Sequence, residues 1–113
     1  MHPDEDQTFI PASFDALYRD ARGRLSLPRD DFRQRYELCE DMAQMLVDPS
    51  AERLHAMGLS EDLVLARTRD ALGAEGGGFS ADEAAWIATR LAELLGWTWA
   101  EALPAPDASL RRA

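Results

Sequence analysis

Three observations predict an all-α fold. Apolar residues recur at three- and four-residue spacing along most of the chain. No stretch alternates β-branched with polar residues over a useful length. Ser, Gly and Pro stand at intervals where helices begin and end. The expected architecture is a compact bundle of about five helices forming a single domain over 9–103, with a helix-turn-helix-like corner at 51–72. Residues 1–8 read as a disordered acidic lead and 104–113 as a disordered tail. A chain of 113 residues, 46% apolar and 29% charged, suits one packed domain. A domain of that size buries roughly two thirds of its unfolded surface.

Taken in order, Pro11 suits the first turn of a short helix whose Phe14, Leu17 and Tyr18 share a face, and Gly23 breaks it. Ser26-Leu27-Pro28 opens the longest helix, with Asp30 and Asp31 set against the positive end of its dipole. Phe32, Tyr36, Cys39, Ala43 and Leu46 form one stripe on it, and Leu38, Met42 and Met45 widen that stripe. So broad an apolar face predicts a central helix with two neighbours. Asp48-Pro49 is expected to end it, because the residue before proline is pushed out of the α region. Ser50 to Met57 reads as a short helix, Gly58 as its left-handed cap, and Ser60 as the cap of a helix running through Leu72.

Gly73 and the run Gly76-Gly77-Gly78 predict a flexible loop. Ser80-Ala81-Asp82-Glu83 then forms a capping box that opens a helix to Leu95, closed by Gly96. Ala84, Ile87, Ala88, Leu91, Leu94 and Leu95 trace its inward stripe. Thr98-Trp99-Ala100-Glu101 is a second capping-box pattern, expected to start one turn that Pro104 stops.

Charge and composition exclude several functions. The 21 acidic residues outnumber 12 basic ones, giving a formal charge of -9 that repels nucleic acid and anionic membranes and favours a basic or neutral protein partner. All twelve basic residues are arginine, so neither a P-loop lysine nor a Schiff-base lysine is available. No run approaches the roughly 20 apolar residues of a membrane span. The acidic start MHPDEDQ does not look like a signal peptide, so a cytoplasmic location is expected. Cys39 has no partner for a disulfide and reads as a small buried side chain.

Few constellations carry chemistry. Leu54, Gly58, Leu59, Ser60 and Val64 match the packing positions and turn glycine of a helix-turn-helix, but Glu61-Asp62 would lead its recognition helix. From Ala51 to Leu72 the net charge is about -1, and a structural corner is the expected reading. The glycine run lacks a preceding strand and any Lys-Ser or Lys-Thr, so a linker is expected rather than a phosphate loop. Adjacent carboxylates such as Glu40-Asp41 and Asp82-Glu83 point about 100° apart on a helix and do not chelate together. Glu37 and Asp41 do share a face, with Arg33 one turn before Glu37, which predicts a solvated ion-pair surface. Neither His2 nor His55 has companions at metal-ligand spacing. No catalytic, cofactor or metal site is expected.

Tryptophan supplies the strongest binding candidates, because it is enriched at interface hot spots. Trp86, Trp97 and Trp99 cluster in sequence, with Trp86 toward one flank of its helix. Two arrangements are open: all three close the end of the bundle, or an exposed ring joins Phe79 and Leu103 in an apolar docking patch. Glu37, Glu40 and Asp41 are the matching acidic candidates for partner contact.

Three segments carry a resemblance: Phe9-Ile10-Pro11-Ala12-Ser13-Phe14 with Leu17-Tyr18, Arg35-Tyr36-Glu37-Leu38-Cys39-Glu40-Asp41-Met42-Ala43, and Arg90-Leu91-Ala92-Glu93-Leu94-Leu95-Gly96-Trp97. Together they resemble small uncharacterised proteobacterial proteins, some of which carry the label of an ATPase with chaperone activity. The resemblance spans most of the chain and implies nucleotide hydrolysis and an association with chaperone or protease machinery. The chain has no Walker A sequence, no lysine and no expected strand to carry one, so only the association is retained. The expected function is a small acidic helical interaction module, an adaptor, inhibitor or regulatory subunit without catalysis. A dimerising helix-turn-helix transcription regulator is the alternative, with homodimers allowed in either case, and an enzyme is a distant third.

Overall fold

The computed structural model describes residues 9–103, so the expectations for the acidic lead and the tail lie outside the described residues. Among the described residues there are four full helices: α2 (Arg29–Met45), α3 (Val47–Met57), α4 (Glu61–Gly73) and α5 (Ala81–Leu95). A single turn, α1 (Ala12–Asp15), precedes them and tightens into a 3-10 turn at Ala16–Tyr18. The all-α class holds, with four helices in place of about five.

The missing helix is the first. Pro11 sits at the N-cap in extended backbone, and after Tyr18 the chain leaves helical geometry at Arg19. Asp20 explains the departure: its Oδ1 accepts from the backbone N–H groups of Arg22 and Arg24 at 2.8 and 2.9 Å. Such local bonds compete with a helix. An isolated antiparallel bridge between Arg19 and Leu25 closes the loop, with Gly23 at φ 81°.

Pro49 shapes the next junction, though not where expected. In a continuous helix its absent N–H would have bonded to the carbonyl of Met45, and its ring would have met that same carbonyl. Accordingly α2 stops at Met45, and the chain bends at Leu46 (φ -87°, ψ -5°). Pro49 itself sits in the first turn of α3, where no intrahelical donor is needed.

The remaining ends follow the caps. Gly58 ends α3 in the left-handed region at φ 65°, and Ser60 Oγ accepts from Leu63 N at 3.1 Å to start α4. Ser80 and Glu83 form the capping box of α5, each side chain accepting from the other's backbone N–H at 3.0 Å. Thr98 to Glu101 makes only a turn, with Ala102 N donating to Trp99 O at 3.2 Å.

The central helix is α5, not α2. Helices α2, α3 and α4 all pack on it, and it buries Ala84, Trp86, Ile87, Ala88, Leu91 and Ala92. Leu94 and Leu95 are half-buried. On α2 the stripe does meet two neighbours, α5 and α1, and Met42 is half-buried against the core, while Leu38 and Met45 lie beyond both contacts, 44% and 68% exposed. The core has two parts. One gathers Phe14, Phe32, Cys39, Ala43, Trp86 and Ile87 between α1, α2 and α5, and the other gathers Leu65, Ala88, Leu91, Ala92 and Trp99 where α4 and the final segment meet α5.

The glycine loop is a close-packed turn and not a free linker. A Cβ on Gly77 would lie 2.2 Å from the carbonyl oxygen of Leu72 and 2.5 Å from that of Ala71. The loop is fastened by Gly77 N donating to Ala74 O at 2.8 Å, and by Arg35 Nη2 donating to Gly78 O at 3.1 Å.

Candidate docking groove

Of the two arrangements open to it, Trp86 takes the buried one. Its ring is 3% exposed and forms edge contacts with Phe14 (centroids 5.2 Å, 82°) and Tyr36 (5.9 Å, 73°). Its Nε1–H donates to Ser13 Oγ at 2.9 Å, which satisfies the indole's one polar atom. The extended backbone at Pro11 brings α1 to this position, so the start of the described chain lies across α5.

A groove of about 480 Å³ opens over this contact. Tyr36 and Trp86 line it together with Phe9, Pro11, Ala12, Ser13, Thr89 and Leu103, and Arg90 and Glu93 complete the lining. Thr89 positions Leu103: its hydroxyl donates to Ala85 O at 2.8 Å and accepts from Leu103 N at 3.0 Å. The groove is mainly apolar with a few placed polar groups, as binding clefts generally are.

Arg90 gives the groove a charged side. Its Nε and Nη2 donate to the Glu40 carboxylate at 2.9 to 3.2 Å, and its Nη1 donates to Glu93 at 3.1 Å. Glu40 also accepts from Gln44 Nε2 at 2.7 Å. Burial pushes the Glu40 carboxyl up, but the bonds from Arg90 and Gln44 with the Arg90 charge outweigh it and leave the pKa below the ordinary value. Burial, helped by the Glu40 charge, raises the Tyr36 phenol against the opposing charge of Arg90. The groove therefore holds a phenol that stays neutral at ordinary pH beside a guanidinium engaged by Glu40 and Glu93. Glu93 is 62% exposed and keeps acceptor capacity toward solvent.

The three tryptophans do not share one surface. Trp86 belongs to the first core cluster and Trp99 to the second. Trp99 is buried, with the Arg69 guanidinium 5.5 Å from its ring centroid. Trp97 is half-buried against the same cluster as Trp99. Phe79 is half-buried beside the capping box, with the Arg35 guanidinium 5.6 Å from its centroid. Phe79 and Leu103 pack against the cluster that holds Trp86, and of these Trp86 and Leu103 line the groove.

The acidic candidates also separate. Glu40 is committed to Arg90, while Glu37 and Asp41 are exposed on the outer side of α2. The expected pairing of Arg33 with Glu37 is replaced by Arg33 with Asp30 at 3.1 Å. Sequence reasoning missed Ser13, Tyr36 and Arg90 as parts of one site. The available signal was weak: Arg90 lies within the apolar run of α5, a place where a charge needs a partner.

A second polar centre lies away from the groove. Glu83 accepts from Arg35 Nε at 2.9 Å and Arg35 Nη2 at 2.7 Å, and from the hydroxyl of Tyr18, while also capping α5. Cys39 is fully buried, and burial chiefly, with the Glu83 charge adding and Arg35 opposing, pushes its thiol up to about 12. That thiol stays protonated and unreactive at ordinary pH. Among the described residues no group of three or more His, Cys, Asp or Glu is placed to hold a metal ion, and no helix is long and apolar enough to cross a membrane. Comparison with family models, curated proteins and solved structures found no match to this chain.

Proposed function

We propose that this protein is a non-catalytic interaction module that docks a protein partner by taking an apolar side chain into the groove between α1, α2 and α5. The observation that carries this reading is the preformed wall of Tyr36 and Trp86, with Trp86 held by Ser13 and by two aromatic neighbours. Rings already locked before binding lose little freedom on contact, which favours affinity. The exposed Glu93 beside the groove and the net charge of -9 favour partners with Arg or Lys next to the apolar anchor. Binding fits the groove better than catalysis does, because its hydroxyls are engaged within the molecule and its phenol is raised. The corner of α3 and α4 supports DNA binding less, since Glu61 and Asp62 begin the helix that would meet phosphates.

Selection from a displayed peptide library tests the reading. The expected result is enrichment of peptides that combine an aromatic or branched aliphatic residue with adjacent arginine or lysine. Ala12→Trp, which fills the groove from its edge, should abolish that enrichment. Equal enrichment by both proteins would remove the groove from the reading, and no enrichment by either would remove docking itself.

A further inference from the structure

The outer side of α2 carries a second surface made of different residues. Asp31, Leu38 and Met45 follow one another at seven-residue intervals, and Gln34 and Asp41 repeat the same interval between them. All five are exposed. A seven-residue repeat of this kind lines one face of a helix, so Leu38 and Met45 stand two turns, about 10 Å, apart on it. The groove uses the other flank of α2, where Tyr36 and Glu40 turn toward α5.

We propose that this face binds a basic amphipathic helix of a partner protein. Leu38 and Met45 would be its apolar contacts, and Asp31 and Asp41 would receive arginine or lysine. Two features select that occupant. Leu38 and Met45 are among the largest exposed apolar side chains of the described residues, and methionine adapts to varied partner surfaces. Neither Asp31 nor Asp41 has an ion-pair partner among the described residues, unlike Asp15, Asp30 and Glu40. A second copy of this chain fits poorly. Paired parallel in register, or antiparallel about the midpoint of Leu38 and Met45, two such faces would bring Asp41 against Asp41 between the apolar contacts. Juxtaposed like charges there oppose association.

The probe is a synthetic fluorescein-labelled peptide with leucines at helical three- and four-residue spacing and arginines on both flanks, read by fluorescence anisotropy against the full chain. Binding is expected, weaker at physiological than at low ionic strength. A peptide of the same composition in scrambled order should bind at least tenfold more weakly, as should the double variant Leu38→Gln/Met45→Gln to the intact probe. Asp41→Asn should weaken binding about threefold or more, whereas Ala12→Trp should bind as the parent does. That last comparison separates this face from the groove. Both exposed apolar positions tolerate glutamine, so matching urea unfolding curves establish that the double variant is folded. Equal binding of the scrambled peptide, undiminished binding by the double variant, or no binding at all would overturn the proposal. A dimer in sedimentation equilibrium that the double variant abolishes would also overturn it, assigning the face to a second copy.

Discussion

Glu83 answers three groups at once: the N-cap backbone of Ser80, the guanidinium of Arg35 and the hydroxyl of Tyr18. Its side chain is 3% exposed and that of Arg35 is 33% exposed, and this asymmetry sets what each substitution costs. Arg35→Met strands a buried carboxylate and should cost about 3 to 5 kcal/mol. Glu83→Gln leaves a guanidinium that reaches water and a glutamine that still caps the helix, so about 2 kcal/mol is expected. Urea unfolding of the two variants checks the order, and a larger loss for Glu83→Gln would refute it. Burial raises Glu83 and Glu40, but their arginine bonds and other hydrogen bonds prevail and hold both below the ordinary carboxylate value. Groups with depressed folded pKa values stabilise above the unfolded value and lose that contribution as pH falls through the folded one. Thermal unfolding should therefore show a falling midpoint from about pH 4.5 downward, with a shallower fall in Glu83→Gln. A midpoint independent of acid in the parent would contradict these pairings. The capping role of Glu83 was legible in Ser80-Ala81-Asp82-Glu83, because both partners lie within one turn. Its bond to Arg35 was not, because 48 residues separate them.

Helix ends divide into those set by local chemistry and those set by collision. Gly58 stands in the left-handed region with nothing within 4 Å of where a Cβ would go, while Gly77 lacks positive φ and faces backbone carbonyls. Gly58→Ala should cost about 1 kcal/mol from backbone conformation alone. Gly77→Ala must displace the end of α4 and should cost more, about 2 to 3 kcal/mol. Chemical denaturation compares them directly, and an inexpensive Gly77→Ala would mean that the loop moves freely. The sequence shows Gly58 as a cap because helical spacing stops there and Ser60 follows. It shows Gly77 only as one of three glycines, since the carbonyls of Ala71 and Leu72 approach through the fold. Pro49 teaches the same at the junction of α2 and α3. Its missing donor was visible, but the break falls one turn earlier, at the carbonyl that donor would have served.

At the scale of the molecule, α5 is the beam on which α2, α3 and α4 rest, and the segment from Trp97 to Leu103 returns over it. That return is held by Arg69, which covers Trp99 and pairs with Glu101, and by the Thr89 hydroxyl that receives Leu103 N. Arg69→Ala should loosen the segment at a cost of about 1 kcal/mol. The expected sign is faster solvent exchange of the Trp99 indole N–H in nuclear magnetic resonance spectra, with the Trp86 indole unchanged through its bond to Ser13. Equal change at both indoles would mean general destabilisation. By itself the sequence determined the all-α class, the acidic charge, the buried thiol of Cys39 and the caps at Gly58, Ser60, Ser80 and Gly96. Periodicity and capping act within one or two turns, and charge needs no geometry. Only the tertiary structure decided that α5 is central, that Trp86 lines a groove, that Glu40 turns inward to Arg90 and that Leu38 and Met45 stay open. Those outcomes depend on which faces meet, and the contacts that settle them join residues 50 and 73 positions apart, where no local pattern reaches.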